Sequence, residues 1–180
     1  LTSTKKAEIY QERYRKIEPH RAECLGSYAF HWPAKQETTA TWHGMTLASG
    51  ETLGNADTLC FAWTGKWPAN RAPTITSLTF SEKGDSFAPG ESHKAQVVAE
   101  DTEKDPLTIR WEVLAESQDR KVGGDREKAP PDFSKFLETA NAPTATFKAP
   151  SEPGAYRLFV YVFDGKGHAA TGNLPFQVKK

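Results

Sequence analysis

Four acidic residues on two short segments of this chain form a constellation: Asp101, Glu103 and Asp105, which follow Glu100 in "EDTEKDP", and Asp164 at the head of "DGKG". Carboxylates are hard oxygen ligands, and three or four of them converging from loops can hold Ca²⁺. Asp101, Asp105 and Asp164 are therefore candidate calcium ligands, provided the fold brings both loops to one end. A competing reading gives Asp105 and Asp164 to their own turns through Asx hydrogen bonds, with Lys104 and Lys166 balancing the charge. Further upstream, "CLGSYAFHWPAKQETTATWHGM", residues 24–45, places His31-Trp32 and Trp42-His43 on either side of a polar loop that carries Gln36 and Glu37. His31, Glu37 and His43 make no metal motif, since no two stand at the i, i+4 spacing that would join them on a helix. They read as polar rim residues. In "YRLFVYVFD", Phe159, Tyr161 and Phe163 alternate onto one face of a strand. Left open, that stripe would be a carbohydrate-binding surface. Covered, it would lie under Phe133, Phe136 and Leu137 or under the first half of the chain, and the rarity of large exposed apolar patches favours cover.

Two halves with different patterning must position these groups. Residues 1–71 read as helix, strand, polar loop and helix. In "STKKAEIYQERYRKIEPH" apolar residues recur at Ala7, Tyr10, Tyr14 and Ile17, a helical stripe. Ser3 or Thr4 can cap its start and Pro19 marks its end. The run "CLGSYAFHW" is apolar nearly throughout, which is the pattern of a strand buried on both faces. A second helix is expected over "NADTLCFAWTG", with Asn55 as cap, Ala56, Leu59, Cys60 and Trp63 on one face, and Gly65 at the C-terminal left-handed position. "KWPANRAP", residues 66–73, reads as a linker.

Residues 72–180 are strands separated by turn signals. Strands are expected near Thr74–Phe80, His93–Glu100, Leu107–Val113, Thr144–Ala149, Ala155–Asp164 and Ala169–Val178, divided by "SEKGD", "APGE", "TEKDP", "SEPGA" and "DGKG". That series makes a β-sandwich, so the fold class is mainly β with an α/β segment in front. Trp111 is placed as the core tryptophan of the third strand and Tyr156 at a tyrosine corner of immunoglobulin type. The inter-sheet disulfide of that type is missing, its second position falling on Leu158. Residues 115–143 form an insertion too long for a hairpin, with "DFSKFLE" as a short helix.

Composition sets the outer limits. Twenty-three basic and twenty-three acidic residues cancel, so no net field favours nucleic acid. No apolar run approaches the roughly 20 residues that cross a bilayer. Cys24 and Cys60 fit neither a disulfide framework nor a zinc spacing; a single bridge between them stays open beside their reading as small buried hydrophobes. Leu1-Thr-Ser at the start, without methionine, reads as a piece of something longer.

Taken together, "TSTKKAEIYQERYRKIE", "CLGSYAFHWPAKQETTATWHGM" and "TLCFAWTGKWPANRAP" resemble the last turn of the (β/α)8 barrel in bacterial proteins related to glycoside hydrolase family 2. "DTEKDPLTIRWEV" and "EPGAYRLFVYVFDGKGHAA" are similar to the immunoglobulin-like or PKD-like domain that follows such a barrel. The resemblance makes residues 5–18 the seventh barrel helix, 25–32 the eighth strand and 55–64 the eighth helix. It puts Trp32 at the C-terminal end of a barrel strand, where this clan commonly has a tryptophan under the sugar ring. His31, Gln36, Glu37, Trp42 and His43 would line the same rim. Retaining glycosidases need two carboxylates about 5 Å apart; in this clan both stand on earlier strands, which would precede Leu1. No catalytic residue is assigned, and the chain alone is expected to lack glycosidase activity. The resemblance implies a non-catalytic terminal module of an extracytoplasmic polysaccharide-acting protein, with polysaccharide or the catalytic barrel as partner and no cofactor beyond the candidate Ca²⁺. The rival reading is a carbohydrate-binding module. A lone βα unit leaves strand 25–32 with open edges, so that segment must pack on the sandwich, pair with a partner, or join a barrel supplied by a larger protein.

Overall fold

A computed structural model describes residues 2–122 and 124–180. In chain order its elements are α1 (Ser3–Ile17), β1 (Thr52–Leu53), α2 (Gly54–Thr64), β2 (Thr74–Phe80), β3 (Ser86–Phe87), β4 (Ser92–Glu100), β5 (Thr108–Ala115), β6 (Leu137–Thr139), β7 (Thr144–Lys148), β8 (Gly154–Phe163) and β9 (His168–Val178). None of its helices is long and apolar enough to cross a membrane.

Strands β2, β4, β7 and β6 form one sheet and β9, β8 and β5 the other, with β3 and β1 added in parallel along β9. In immunoglobulin lettering this is A-B-E-D facing G-F-C. The alternating inward residues expected from sequence fill the space between the sheets: Val97, Trp111, Val113, Phe147, Leu158, Val160 and Phe176 are all buried. Trp111 donates its indole N–H to Ala142 O at 2.8 Å, so its polar atom is satisfied inside the core. Tyr156 Oη donates to Glu152 O at 2.9 Å, four residues upstream, which is the tyrosine corner. Leu158, at the missing disulfide position, is fully buried and packs there instead.

The first half docks onto this sandwich. Thr2 caps α1 by accepting from Lys5 N at 3.1 Å. The expected cap residues are used elsewhere: Ser3 Oγ accepts from Thr171 N and Thr4 Oγ1 from Ile75 N, each at 2.9 Å, stitching the helix start to one strand of each sheet. At the other end Glu18 keeps helical dihedrals although Pro19 follows, and the chain leaves through a short 3₁₀ turn, Glu18–His20. In α2, Leu53 occupies the cap position and Asn55 lies inside the helix. Fully buried, Asn55 donates to Gly44 O at 3.1 Å, so a residue read as a local cap is a tertiary clasp. Gly65 ends α2 in the left-handed region, φ 73°, as expected.

Residues 25–32 depart most from expectation. No strand pairs with them, so the strand buried on both faces is not formed. A doubly buried strand needs a neighbour on each edge, and none is available among the described residues. Burial along the segment nonetheless alternates: Ser27, Ala29 and His31 are partly covered while Tyr28, Phe30 and Trp32 are exposed. Ala29, with Tyr10 of α1, packs against a cluster of Met45, Ala56 and Leu59, the last two from α2.

Within the insertion, the short helix of "DFSKFLE" is a three-residue 3₁₀ helix, Ser134–Phe136, and its last residues run on into β6. Phe133 packs edge-on against Tyr156, 5.1 Å between ring centres. Cys24 and Cys60 are both free thiols.

Candidate functional site

The sandwich topology brings the B–C and F–G loops to one end, and with them the acids. Ligand oxygens of Asp101, Asp105 and Asp164 all lie within 4.8 Å of one another. Each loop also satisfies itself. Asp101 Oδ1 accepts from Asp105 N at 2.9 Å, and Asp164 Oδ1 accepts from Lys166 N at 2.7 Å and His168 N at 3.0 Å. The Asx turn of the competing reading is therefore present at Asp164, whereas in the B–C loop the accepting side chain is that of Asp101 and not Asp105; Lys166 Nζ stands 2.6 Å from Asp105 Oδ1. Burial works against the Asp164 charge, but the Lys166 and His168 amides and the Asn70 side chain outweigh it and hold its pKa below the ordinary aspartate value. Two oxygens have no partner: Asp101 Oδ2 and Asp105 Oδ2 are buried without a hydrogen bond. Glu103 turns away to accept from Arg71 N at 3.2 Å.

Sequence reasoning missed the linker's part in this cluster. Asn70 Nδ2 donates to Asp164 Oδ2 at 2.6 Å and lies 2.8 Å from His168 Nδ1. Asp57 in α2 accepts from Ala72 N at 2.7 Å. Residues 66–73, read as a spacer, are bonded at successive positions to α2 and to both loops.

The second set is partly assembled. Glu37 is the hub: Lys35 Nζ lies 2.5 Å from one carboxylate oxygen and His43 Nε2 3.3 Å from the other. Lys35 is the main cause that holds the Glu37 pKa below its ordinary value, with His43 adding and desolvation opposing. The His43 ring sits between Phe30, 5.0 Å away, and Trp42, 6.2 Å away edge-on. His31 lies beside Phe30 at 6.3 Å. Trp32 and Trp42 are 51% and 57% exposed, so both keep an open face. Gln36 is partly covered and its Nε2 has no partner. The arrangement offers aromatic faces edged by a carboxylate, an imidazole and an ammonium group, which can bind polar rings.

What holds this rim was not legible. Glu127, in the insertion, is buried and accepts from Thr38 N at 2.6 Å and Lys121 N at 3.1 Å. Trp32 O accepts from Met45 N at 2.8 Å, closing the loop at its base. Gly44 O takes two donors, Lys6 Nζ at 3.0 Å and Asn55 Nδ2 at 3.1 Å.

Lys6 supplies a pH test of that base. Burial lowers its pKa to about 8, against about 10.4 in an unfolded chain. Between those values the unfolded state holds the extra proton, so this group makes stability rise with pH across that window. Lys6→Met removes that contribution while Asn55 keeps Gly44 O satisfied. In urea unfolding, the stability of the variant relative to wild type should fall between pH 7.5 and pH 10; an unchanged difference would contradict a buried Lys6.

The third set is closed. Phe159 and Tyr161 are buried under Leu47 and Leu53, with Ala169 beside them. Arg110 lies over Tyr161 at 4.8 Å and over Phe163 at 5.6 Å. The cover comes from the first half of the chain, while Phe133 and Leu137 pack on the inter-sheet core. Phe159 and Tyr161 thus present no face to a glycan, and Phe163 is half-covered.

No family profile matches the chain, and no curated protein does. Among solved structures it is similar to the PKD1 domain of the Vibrio cholerae metalloprotease PrtV, at 16% identity and TM-score 0.37, covering 61% of this chain and 99% of that one. It is similar also to the PKD domain of an M14-like peptidase from a Thermoplasmatales archaeon, at 15% identity and TM-score 0.38, covering 62% and 100%. A β-glucosidase from Listeria innocua gives 16% identity and TM-score 0.33 over 63% of this chain and 18% of that one.

Proposed function

We propose that this chain is a non-catalytic module of an extracytoplasmic polysaccharide-acting protein, where it supports a catalytic (β/α)8 barrel and extends its substrate cleft. One observation carries the reading. Residues 25–32 alternate between covered and open positions, with Ala29 packed on the cluster of Met45, Ala56 and Leu59, with Tyr28, Phe30 and Trp32 open, and with no strand on either edge among the described residues. A barrel strand is built that way, with helices behind it and side chains pointing into a shared interior. An extended segment with unpaired edges and an apolar open face is a template for strand pairing. Trp32 at its C-terminal end, with Trp42, His43 and Glu37 alongside, fits the rim of a sugar cleft.

Hydrogen exchange tests this. Amides of Leu25 to His31 should exchange at nearly unprotected rates in this chain and become strongly protected in a larger protein that contains the barrel. Lack of protection in that setting would remove the strand-closing role. The carbohydrate-binding alternative rests now on Trp32 and Trp42 alone, because the third aromatic set is closed. Affinity electrophoresis on a glycan panel separates the two readings: a supporting module migrates unretarded, whereas a binding module is retarded and released by Trp32→Ala or Trp42→Ala.

A further inference from the structure

We propose that the pocket at the seam between the start of α1, the 38–42 loop and the outer face of β8 and β9 is an oxyanion subsite for an acidic sugar residue: the carboxylate or sulfate group pairs with Lys6 while the ring lies against Trp42. The pocket measures about 90 Å³, and none of its described lining residues is acidic. Lys6 and Arg157 bring positive charge to it, Thr38 and Thr41 bring hydroxyls, and Trp42 borders it with 57% of its surface exposed. The chain as a whole carries no net charge, so a lining of one sign is a local feature.

The two cations are not equivalent. Arg157 is already answered: its Nε and Nη2 donate to Glu116 at 2.7 and 3.1 Å, and its Nη1 donates to Asn173 Oδ1 at 2.7 Å. Lys6 donates to Gly44 O at 3.0 Å and has no ion pair among the described residues. An ammonium group has three donors, and a covered charge without a counter-charge is costly. Burial alone pushes the Lys6 pKa down, with no carboxylate to raise it again. An oxyanion in the pocket supplies that counter-charge through a charge-assisted hydrogen bond. Glu127, which holds Thr38 N, has its oxygens taken by main-chain amides and does not line the pocket.

Size and lining select the rest of the ligand. One water occupies about 10–15 Å³ of such a volume, so the pocket takes a charged group of a few atoms and leaves a sugar ring at its mouth. There the open face of Trp42 offers an apolar platform to the ring, and threonine hydroxyls, which both donate and accept, match those of the sugar. Both halves of the chain build the pocket: Ser3 and Thr171 line it and are bonded to each other. A ligand held there therefore also strengthens the docking of α1 on the sandwich. The choice of a sugar rests on the polysaccharide role proposed above, whereas the preference for an anion rests on Lys6.

The test is calorimetric titration at pH 6.5, where Lys6 is largely protonated, on wild type, Lys6→Met, Trp42→Ala and Thr41→Val. The probes are methyl glucuronide, glucose 6-sulfate, methyl glucoside, sodium acetate and sodium sulfate at matched ionic strength. One or both of the charged sugars should bind wild type with a Kd of about 1–10 mM, as a ligand of this size allows, and raise the melting temperature. The glucoside and the free ions should bind about tenfold more weakly or worse. Lys6→Met and Trp42→Ala should each weaken the charged sugar about tenfold, and Thr41→Val several-fold; the last two stand in should Lys6→Met fail to fold. Absence of binding by either charged sugar overturns the site, and so does undiminished binding to folded Lys6→Met. Equal binding of the glucoside overturns the anion preference, and equal binding of acetate or sulfate overturns the sugar. The barrel role stands or falls separately, on amide protection of residues 25–31 in the larger protein, and binding this weak leaves the chain unretarded at sub-millimolar glycan.

Discussion

Phe159→Ala should lower the stability of the whole chain by about 3–5 kcal/mol, the range for truncating a buried phenylalanine. Phe159 is 2% exposed although it stands on the outer face of β8, away from the inter-sheet core. Leu47 and Leu53 cover it, and the Tyr161 ring is stacked 6.5 Å from it. Truncation opens a cavity where the first half of the chain meets the sandwich, so it should loosen the docking as well as the packing. Urea unfolding followed by Trp fluorescence measures the loss. A change within about 0.5 kcal/mol, as at an ordinary surface position, would show that the first half does not seal that face. Leu53→Ala in the same background gives the coupling: residues in contact share one cavity, so the double mutant should lose less than the sum of the singles.

Gly44→Ala should be comparably damaging, for a backbone reason. Gly44 has φ 95°, where a side chain is strained, and an added Cβ would meet Pro33 O at 2.6 Å, Pro33 C at 3.1 Å and Ala34 Cα at 3.2 Å. Those are main-chain atoms, so no rotamer change relieves them. Strain of about 1–3 kcal/mol is added to displacement of the Pro33–Ala34 segment, which stands next to the Trp32 O–Met45 N hydrogen bond. The total is expected at about 3 kcal/mol or more. Gly50→Ala is the control: it has φ 110° and no atom near the added Cβ, so it carries the strain without the collision. Equal losses at both positions would mean that the close approach to Pro33 contributes nothing.

Legibility followed sequence separation. The B–C and F–G acids could be brought together on paper because the strand order, read from period-two alternation and turn residues, already dictates which loops share an end. The Trp111 core position, the Tyr156 corner and the Gly65 cap were legible for the same reason, each following from its strand or helix register. Asn70 bonding Asp164 across 94 residues and Glu127 holding Thr38 across 89 left no local signal. Asn55 had the residue type and position of a cap, and tertiary burial gave it another task.

The sequence by itself determined the β-sandwich, through six of its strands, and the two flanking helices, since alternation, helical stripe and punctuating Gly and Pro act over a few residues and agree with one another; the short strands β1, β3 and β6 carried no such signal. Only the tertiary structure decided what became of apolar surface that local pattern makes but cannot place. "FVYVF" was closed by Leu47 and Leu53, whose approach depends on the 33–53 loop folding back across β8 and β9. "CLGSYAFHW" has the hydrophobicity of a buried strand, yet burial needs neighbours on both edges, and among the described residues it has only the helices behind it.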